Sequence, residues 1–233
     1  MSAAHPLVES LDWPSICDEA TELFRDLLRI DTTNSPEHAG NEIEAARYLE
    51  ERFAREGLDS TVLESAPRRG NIISRIRGDG SGGAPILLSA HQDVVPAEEE
   101  HWLHPPFAAE IHDGCIWGRG AIDMKNMAAM EAMVMLLLKR SGNTLKRDLI
   151  FAGVADEEEG CELGSLWLVR EHPELVRAEY AISEIGGFSL HVGDECFYPV
   201  QVAEKGYVRL TVRATGTPGH GSLPNADNPI THI

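Results

Sequence analysis

The sequence predicts an α/β fold: a doubly wound mixed sheet with helices on both of its faces. Short, almost wholly apolar runs are typical of strands that are covered on both sides. They alternate along the chain with longer segments in which apolar residues recur every three or four positions, as on a helix that packs against a core. A chain of 233 residues is also long enough to bury a sizeable core without disulfide bonds.

Two helices and three short strands are predicted in the first part of the chain. Apolar side chains recur at helical spacing over residues 15–30, where Ser15 and Asp18 resemble a capping box. After the loop DTTNSPEHAG, Asn41 is placed to cap a second helix that ends just before Gly57. The β-like runs that follow are residues 61–63, 71–77 and 86–90.

A long segment without a clear period, residues 94–120, interrupts the alternation. Loops of this length in a compact domain are often functional. His101 and His104 are interpreted as ordinary loop residues, with contact to a substrate as the alternative, and His112 is interpreted as a surface or core residue. The elements predicted next are helices at Ile122–Arg140 and near Gly164–Glu171, and strands at Leu149–Ala155 and Ala178–Ser183.

A change of pattern near residue 204 marks a predicted domain boundary. Tyr207–Thr215 alternates apolar with polar residues, which is typical of a half-exposed strand. We therefore predict a first α/β domain over residues 1–203 and the truncated start of a smaller α+β domain over 204–233. About 30 residues are too few to hold a core alone, so the chain is interpreted as a fragment or as a protein whose second domain is missing.

Charge and cysteine content exclude several classes of function. The 20 basic and 38 acidic residues give a net charge of −18, and such a surface repels nucleic acids and anionic membranes. The N-terminus lacks the pattern of a signal peptide, and the apolar stretch 128–138 is too short to span a bilayer. The four cysteines form no CxxC pair and are interpreted as free, mostly buried thiols of a cytoplasmic protein.

Polar residues at the end of one strand and at the start of one helix are the first candidates for chemistry. In SAHQDVVP, His91 and Asp93 are two residues apart and point the same way on an extended segment. His91 could bind a metal while Asp93 holds its other nitrogen, with a structural hydrogen bond as the alternative. In WGRGAIDMKN, Asp123 lies at the start of a helix, where an N-cap is the alternative.

Acidic residues follow two further strands. The segment VADEEEG comes after a buried strand, and neighbouring carboxylates can divide metal binding and proton transfer between them; the alternative is a solvated charge run. Glu184 precedes paired glycines and suits either a ligand or a turn. A His, Asp, Glu, Glu set without Cys suits a hydrolytic centre of zinc, cobalt or manganese, in which a carboxylate can bridge two ions.

Five segments in order resemble the motifs of the zinc-dependent aminoacylase and carboxypeptidase family: SAHQDVVP, WGRGAIDMK, ADEEEG, SEIGG and GTPGHGS. That family includes acetylornithine deacetylase, succinyl-diaminopimelate desuccinylase, glutamate carboxypeptidase and carnosinase-like dipeptidases. The resemblance implies the N-terminal half of a hydrolase that cleaves an amide bond of an N-acyl amino acid or short peptide through a metal-bridging water. It also implies that residues 204–233 begin a lid or dimerisation domain.

The resemblance implies a role for each site residue. The residues implied to bind two divalent ions are His91, Asp123, Glu158 and Glu184. The ions would be zinc, with cobalt or manganese as alternatives, and Asp123 would bridge them, with a cis peptide bond after it. Asp93 would orient His91, and Glu157 would be the general base and acid. His220 would stabilise the oxyanion in a neighbouring subunit's site.

Two departures from the family pattern qualify these implications. Asn126 replaces a usual glycine, with little effect expected. A histidine that normally completes the second metal site lies near the end of a chain about twice as long, so the fragment alone is expected to be inactive. The lid of this family often pairs edge to edge, so the full-length protein is expected to form a homodimer. The alternatives are a truncated, non-catalytic paralogue that acts as a binding or structural module, and a single-metal esterase.

Overall fold

The computed structural model describes residues 6–184, 189–203, 206 and 210–232. It divides into two compact units, Met1–Ile185 and Gly186–Ile233. The helices are α1 Pro6–Glu9, α2 Trp13–Arg29, α3 Glu42–Arg55, α4 Lys125–Ser141, α5 Ser165–Glu171 and α6 Pro173–Val176, with 3-10 turns at Glu99–His101 and Pro229–His232. The strands are β1 Ser60–Ala66, β2 Arg69–Ile76, β3 Ile86–His91, β4 Ile111–His112, β5 Cys115–Ile116, β6 Leu149–Val154, β7 Tyr180–Ile182, β8 Leu190–Val192 and β9 Glu195–Phe197.

The first unit is built on a five-stranded sheet with the order β1-β2-β6-β3-β7. The pairs β1–β2 and β2–β6 are antiparallel, whereas β3 runs parallel to both β6 and β7. The mixed sheet predicted from the sequence is therefore confirmed. Because three strands run in the same direction, the residues that follow them gather at one edge of the sheet, where ligands of α/β proteins bind.

Strand β6 shows how the two faces of this sheet are covered. Its side chains alternate between faces: Phe151 joins the core formed with α2, α3 and α4, while Ile150 joins the core formed with α5 and α6. Phe53 of α3 meets Phe151 edge-on, with ring centroids 5.3 Å apart. Helices thus cover both faces, as the doubly wound prediction requires.

The N-termini of helices α2 and α3 differ from the predicted caps. Helix α2 begins at Trp13, so Ser15 lies inside the helix and the predicted capping box is wrong. Pro14 occupies the first turn, where its missing N–H costs nothing because that position has no intrahelical acceptor. Asn41 is the N-cap residue of α3, as predicted, but its side chain accepts a hydrogen bond from Arg68 instead of capping.

The segment between β3 and α4 differs most from its prediction. Helix α4 begins at Lys125 rather than Ile122, and Met124 is its N-cap, so the N-cap alternative for Asp123 is wrong. The segment 94–120 contains the hairpin β4–β5, which was not predicted from the sequence. The dipeptide Asp113–Gly114 lies at its turn with both φ angles positive, 52° and 76°. An Asp-Gly pair between apolar residues is a strong hairpin signal and could have revealed it.

In the second unit, β8 and β9 pair antiparallel with each other across a turn. The strand predicted over Tyr207–Thr215 is absent from its described part, residues 210–215, while residues 207–209 lie outside the described residues. A strand exists only by pairing with a neighbour, and among the described residues of this unit β8 and β9 pair only with one another. The domain boundary between residues 203 and 204 stays a prediction.

Two further expectations concern the surface. Cys17, Cys115 and Cys196 are exposed and Cys161 is half-buried, so the expectation of mostly buried thiols is wrong, although all four are free. Helices that combine the length and the apolar character needed to cross a bilayer are absent from the described part of the chain.

Candidate metal centre

The last residue of β3, His91, lies at the centre of a cluster of carboxylates. Its side chain is 2% exposed, and its Nε2 atom lies 2.8 Å from Oδ1 of Asp123 and 3.6 Å from Oε2 of Glu184. One ligand atom from each of these three residues falls within 4.8 Å of the others. The structure thus brings together three of the four predicted metal ligands, from the ends of β3 and β7 and from the turn before α4.

Glu157, the predicted general base, and Glu158, the fourth predicted metal ligand, follow β6 at the same edge. Oε2 of Glu157 lies 3.8 Å from Nε2 of His91. Glu158 lines a cleft together with Asp123, although it is not part of the three-residue group. The remaining residues of SEIGG, 185–187, lie outside the described residues.

Asp93 supports both halves of this site. Its backbone carbonyl lies 3.0 Å from Nδ1 of His91, and its Oδ1 atom lies 3.4 Å from the same nitrogen. Its fully buried carboxylate also accepts hydrogen bonds from the backbone N–H groups of Glu157, at 3.1 Å, and Glu158, at 3.0 Å. Sequence reasoning predicted only the contact with His91. The structure shows that Asp93 also positions the turn that carries the two glutamates.

A buried polar network lies behind Asp93. Asn34 donates a hydrogen bond to Oδ2 of Asp93 at 2.8 Å and accepts one from Arg69 at 2.9 Å. Arg69 also pairs with Glu42 and with Asp156, each at 2.8 Å. Asp156 has a φ of +66°, a left-handed conformation that ordinary residues adopt only where their surroundings impose it.

Sequence reasoning missed Asn34, Glu42 and Arg69 as supports of the site. Glu42 begins α3 and Arg69 begins β2, whereas Asn34 lies in the loop after α2, and each lies more than twenty residues from Asp93 along the chain. From the neighbouring sequence, Glu42 is interpreted as an ordinary acidic residue in the first turn of a helix. No short motif marks such a network, because its members are brought together only by the packing of the sheet against α3.

The turn that carries Asp123 is also held in place by the buried side chain of Lys125. Lys125 is 1% exposed, and its Nζ donates hydrogen bonds to the carbonyls of Leu27, at 3.0 Å, and Ile30, at 2.7 Å. Burial lowers the pKa of Lys125 to about 7. The peptide bond between Asp123 and Met124 is cis, as the family resemblance implied. Lys125 thereby ties this turn to the end of α2.

The electrostatics of the cluster favour a cation. Burial lowers the pKa of His91, but the hydrogen bond and charge of Asp93, with Asp123 and Glu157, raise it to about 10. Burial, together with the charges of Asp123, Asp93 and Glu157, raises the pKa of Glu158 to about 7 although His91 lowers it. The site therefore stabilises positive charge among its carboxylates. Imidazole and carboxylate donors are those that zinc, cobalt and manganese accept, so the residues fit a divalent metal ion.

A cleft of about 370 Å³ opens beside Asp123 and Glu158. Its other walls come largely from the segment 94–120 and include two tryptophans, Trp102 and Trp117. The guanidinium of Arg119 lies over the Trp102 ring, 5.2 Å from its centroid. Apolar walls with a few polar groups are typical of small-molecule sites, so the cleft has the character of a site for a small molecule.

His220 lies in the second unit. It is exposed, and its Nδ1 atom lies 2.8 Å from Oγ of Ser222 in a loop with a turn at residues 221–222. A role for His220 at an oxyanion therefore stays a prediction.

The fold and the site together describe an α/β protein in which side chains of the types that bind metals cluster at the carboxyl edge of the parallel strands. The sequence pattern of Peptidase family M20/M25/M40 matches residues 87–225. This match covers more than half of the chain and includes every residue of the cluster. The chain belongs to that family.

Individual relatives agree with this assignment. The chain is 36% identical over 204 residues to Aminoacylase-1 of Sus scrofa, which covers 86% of this chain and 48% of the relative. It is 30% identical to a probable succinyl-diaminopimelate desuccinylase of Staphylococcus epidermidis, over 87% of this chain and 46% of the relative. The chain thus spans about half the length of the curated relatives that it matches.

Solved structures show the same fold at lower identity. An M20 family metallo-carboxypeptidase from Sulfolobus solfataricus superposes with a TM-score of 0.61 at 22% identity, over 72% of this chain and 37% of that one. Human carnosine dipeptidase 1 superposes with a TM-score of 0.61 at 19% identity, over 78% and 41%. At such identities the likeness concerns the fold alone.

Proposed function

We propose that the chain carries the metal-binding half of a hydrolase that cleaves the amide bond of an N-acyl amino acid or a short peptide. The observation that carries this proposal is the convergence of His91, Asp123 and Glu184, with the carboxylate of Glu157 3.8 Å from His91. Membership of the peptidase family and similarity to Aminoacylase-1 support it.

The proposed ligands divide between two divalent ions, with zinc preferred over cobalt or manganese. His91, Asp123 and Glu184 would hold one ion, while Asp123 and Glu158 would hold the second. When bound, such ions supply Lewis acidity toward a substrate carbonyl and lower the pKa of an attacking water toward neutrality. Asp93 would fix the tautomer of His91, so that Nε2 is the nitrogen that faces the carboxylates.

Proton transfer is assigned to Glu157. Its carboxylate is 41% exposed at the mouth of the site, where it can accept a proton from the attacking water and then give that proton to the leaving amine. Asp93 holds the backbone of both Glu157 and Glu158, so it fixes the turn from which the two side chains would take their separate roles. The apolar walls of the cleft would receive the acyl group or a side chain, while His220 would donate to the oxyanion from a neighbouring subunit.

The substitution Glu157→Gln tests this assignment in the complete natural protein. It keeps the shape of the side chain but removes the basic carboxylate, so we expect turnover of N-acetyl amino acids and dipeptides to fall at least a thousandfold. Zinc content, measured by elemental analysis, should stay the same because Glu157 is not a ligand. The matched control, Glu159→Gln, removes a neighbouring carboxylate and should change turnover less than about twofold.

Two results would contradict the proposal. Turnover above a tenth of normal in the Glu157→Gln protein would exclude Glu157 as the general base. A protein that binds no metal after zinc is supplied would favour the alternative, a non-catalytic binding or structural module. A homodimer and a cytoplasmic location accompany the proposal as predictions, and sedimentation velocity of the complete protein tests the first.

A further inference from the structure

An arginine in the wall of the cleft beside the candidate metal centre carries a charge that the protein does not neutralise. Arg119 is half-buried, and within the described part of the chain it forms no ion pair with a carboxylate. Every other arginine among the described residues that is at least half-buried has such a partner: Arg25, Arg52, Arg69, Arg75 and Arg147. Burying a cation without a counter-charge costs free energy, so an anion from outside the chain would stabilise Arg119.

The guanidinium of Arg119 has N–H groups to spare. A guanidinium carries five such donors, and one terminal nitrogen of Arg119 donates to the carbonyl of Pro96 at 3.1 Å. Its Nε atom is buried, and the described residues offer it no acceptor. The same holds for Nε1 of Trp117, which lines the same cleft. Uncompensated donors beside a cation make this wall electropositive, so acceptor oxygens are favoured there.

The backbone around Arg119 is held in place by the protein itself. Its N–H donates to the carbonyl of Pro106 at 2.8 Å. The next residue, Gly120, has a φ of +83°, and a Cβ atom there would lie 2.7 Å from Cγ1 of Val94, so glycine alone suits this position. The stack on Trp102 fixes the far end of the side chain. A group held in this way loses little freedom when it binds a ligand.

The cleft contains this cation together with part of the candidate metal centre. Among the described residues that line it, Asp123 and Glu158 are acidic and Arg119 is basic. Both acids are proposed metal ligands, so bound ions would compensate their charges and leave the cleft positive. Arg119 and Asp123 are four residues apart, which limits the distance between their Cα atoms to at most about 14 Å. One small molecule in a cleft of about 370 Å³ can therefore reach both.

We propose that Arg119 binds a carboxylate of the substrate in this cleft, so that the substrate enters it as an apolar group with an anionic end. The planar guanidinium offers its N–H groups in the geometry that carboxylates accept. Val95, Ile116 and Ile122 provide apolar contacts for the carbon chain. The inference rests on the proposed hydrolase function, since it takes the ligand of the cleft to be the substrate. The carboxylate belongs to the acyl half or to the amino-acid half of that substrate.

Pairs of compounds that differ by one charge test the proposal in the complete natural protein loaded with zinc. N-succinyl-leucine and the neutral N-succinamoyl-leucine differ at the acyl end, whereas N-acetyl-leucine and its amide differ in the amino-acid half. In one of the two pairs, kcat/KM of the unmodified protein should be at least about tenfold higher for the charged member. Arg119→Gln should lower kcat/KM of that member about 10- to 100-fold and that of its neutral counterpart less than about threefold. The pair that responds identifies the half of the substrate.

A purely structural role for Arg119 leads to a different result. Loss of its stack on Trp102 would lower kcat/KM of the charged and neutral members equally, and such an equal loss would overturn the proposal. So would an unmodified protein that prefers the charged member of neither pair, a result that does not depend on the folding of a variant. Arg119→Lys keeps the charge and should retain most of the preference. The matched control, Arg177→Gln, changes an exposed arginine and should leave both pairs within about twofold.

Binding measurements separate this proposal from the hydrolase proposal. In the Glu157→Gln protein, isothermal titration gives the affinity for the two charged compounds with and without Arg119→Gln. An affinity that falls at least about tenfold with Arg119→Gln, although the unmodified protein hydrolyses none of the four compounds, would reject the hydrolase and retain Arg119 as a carboxylate site. Hydrolysis by the unmodified protein, combined with equal affinity in the two variants, would reject the role of Arg119 alone.

Discussion

The base and the rim of the candidate metal centre differ in how their charges are compensated. At the base, Asp93 and Asp156 are buried, and protein donors such as Asn34 and Arg69 hydrogen-bond to their carboxylates. At the rim, the side chain of Asp123 is 64% exposed, and its ion pair is with His91 of the same cluster. The base is thus completed by the fold itself, whereas the rim concentrates negative charge that a bound cation would compensate.

This difference separates two kinds of effect. Changes at the base should lower the free energy of unfolding whether or not metal is present, because they leave buried polar groups without partners. Changes at the rim should weaken metal binding and leave the stability of the metal-free protein nearly unaltered, because water can solvate the exposed groups. Four substitutions test this separation, from the largest expected change in stability to the smallest.

The largest change is expected for Arg69→Met. It removes the buried counter-charge of Glu42 and Asp156, and breaking such a network typically costs about 3–5 kcal/mol. Burial already raises the pKa of Glu42 to about 7 against the effect of Arg69. Urea unfolding of the metal-free protein measures the loss. The control Arg68→Met changes an exposed neighbour and should cost under about 1 kcal/mol; equal losses in the two proteins would show that the network does not support the base.

A smaller loss of stability is expected for Asp93→Asn. The amide has one acceptor oxygen, so it cannot accept hydrogen bonds at both positions used by Asn34, Glu157 and Glu158. One buried donor is left without a partner, which costs about 1–3 kcal/mol of unfolding free energy in EDTA. Zinc affinity should also fall about 10- to 100-fold because His91 loses its supporting group. Normal stability combined with weak zinc binding would assign Asp93 to the rim instead.

Glu131 combines features of the base and the rim. Its carboxylate is buried, like those at the base, but protein donors do not compensate its charge, as at the rim. It is 4% exposed in α4, and within the described part of the chain neither carboxylate oxygen has a hydrogen-bond partner. Burial raises the pKa of Glu131 from 4.5 to about 8. Between these values the folded state holds a proton that the unfolded state releases, so stability falls as pH rises from about 4.5 to about 8.

Glu131→Gln removes this titration. It should raise the free energy of unfolding by about 2 kcal/mol at pH 6 and change it little below pH 4.5. Thermal unfolding of both proteins at several pH values measures the difference. The exposed control Glu44→Gln should show no such dependence. A constant difference across the pH range would mean that Glu131 is not the titrating group.

The smallest change in stability is expected for Asp123→Asn at the rim. The side chain is 64% exposed, so the metal-free protein should change its unfolding free energy by less than about 1 kcal/mol. Zinc affinity should nevertheless fall at least a hundredfold, since a proposed bridging ligand loses its charge. Isothermal titration with zinc, beside the exposed control Asp59→Asn, separates the two effects. A large loss of stability without any change in zinc affinity would reverse the distinction between base and rim.

Much of the fold and part of the site followed from local patterns. Strands β3 and β6 were predicted within one residue of their ends, because short apolar runs such as LIFAGV are typical of strands that are covered on both faces. The rule that ligands gather at the carboxyl ends of parallel strands then pointed to His91 and Glu184, which the structure places within 3.6 Å. Whether these side chains bind a metal stays a prediction.

Long-range arrangements did not follow from such patterns. The strand predicted over residues 207–215 shows why: alternation predicts which side chains share a face, but pairing depends on a neighbouring strand. In the same way, the sequence around Asn34, Glu42 and Arg69 did not indicate that these side chains would meet behind Asp93. Similarly, His104 and His112 were each interpreted as single residues, because their stacking depends on the turn of the chain at residues 106–108 between them.

The sequence alone therefore established the α/β class, the order of its main elements and the polar segments at the strand ends, because these depend on periodicity and on short-range chemistry. The folded chain added the sheet order β1-β2-β6-β3-β7, the network that holds Asp93 and the pairing of His104 with His112 around Glu110. These features bring together residues that are distant in sequence or separated by a turn. Behind Asp93, packing removes the surrounding water, so the charges of Glu42, Arg69 and Asp156 are paired within the protein.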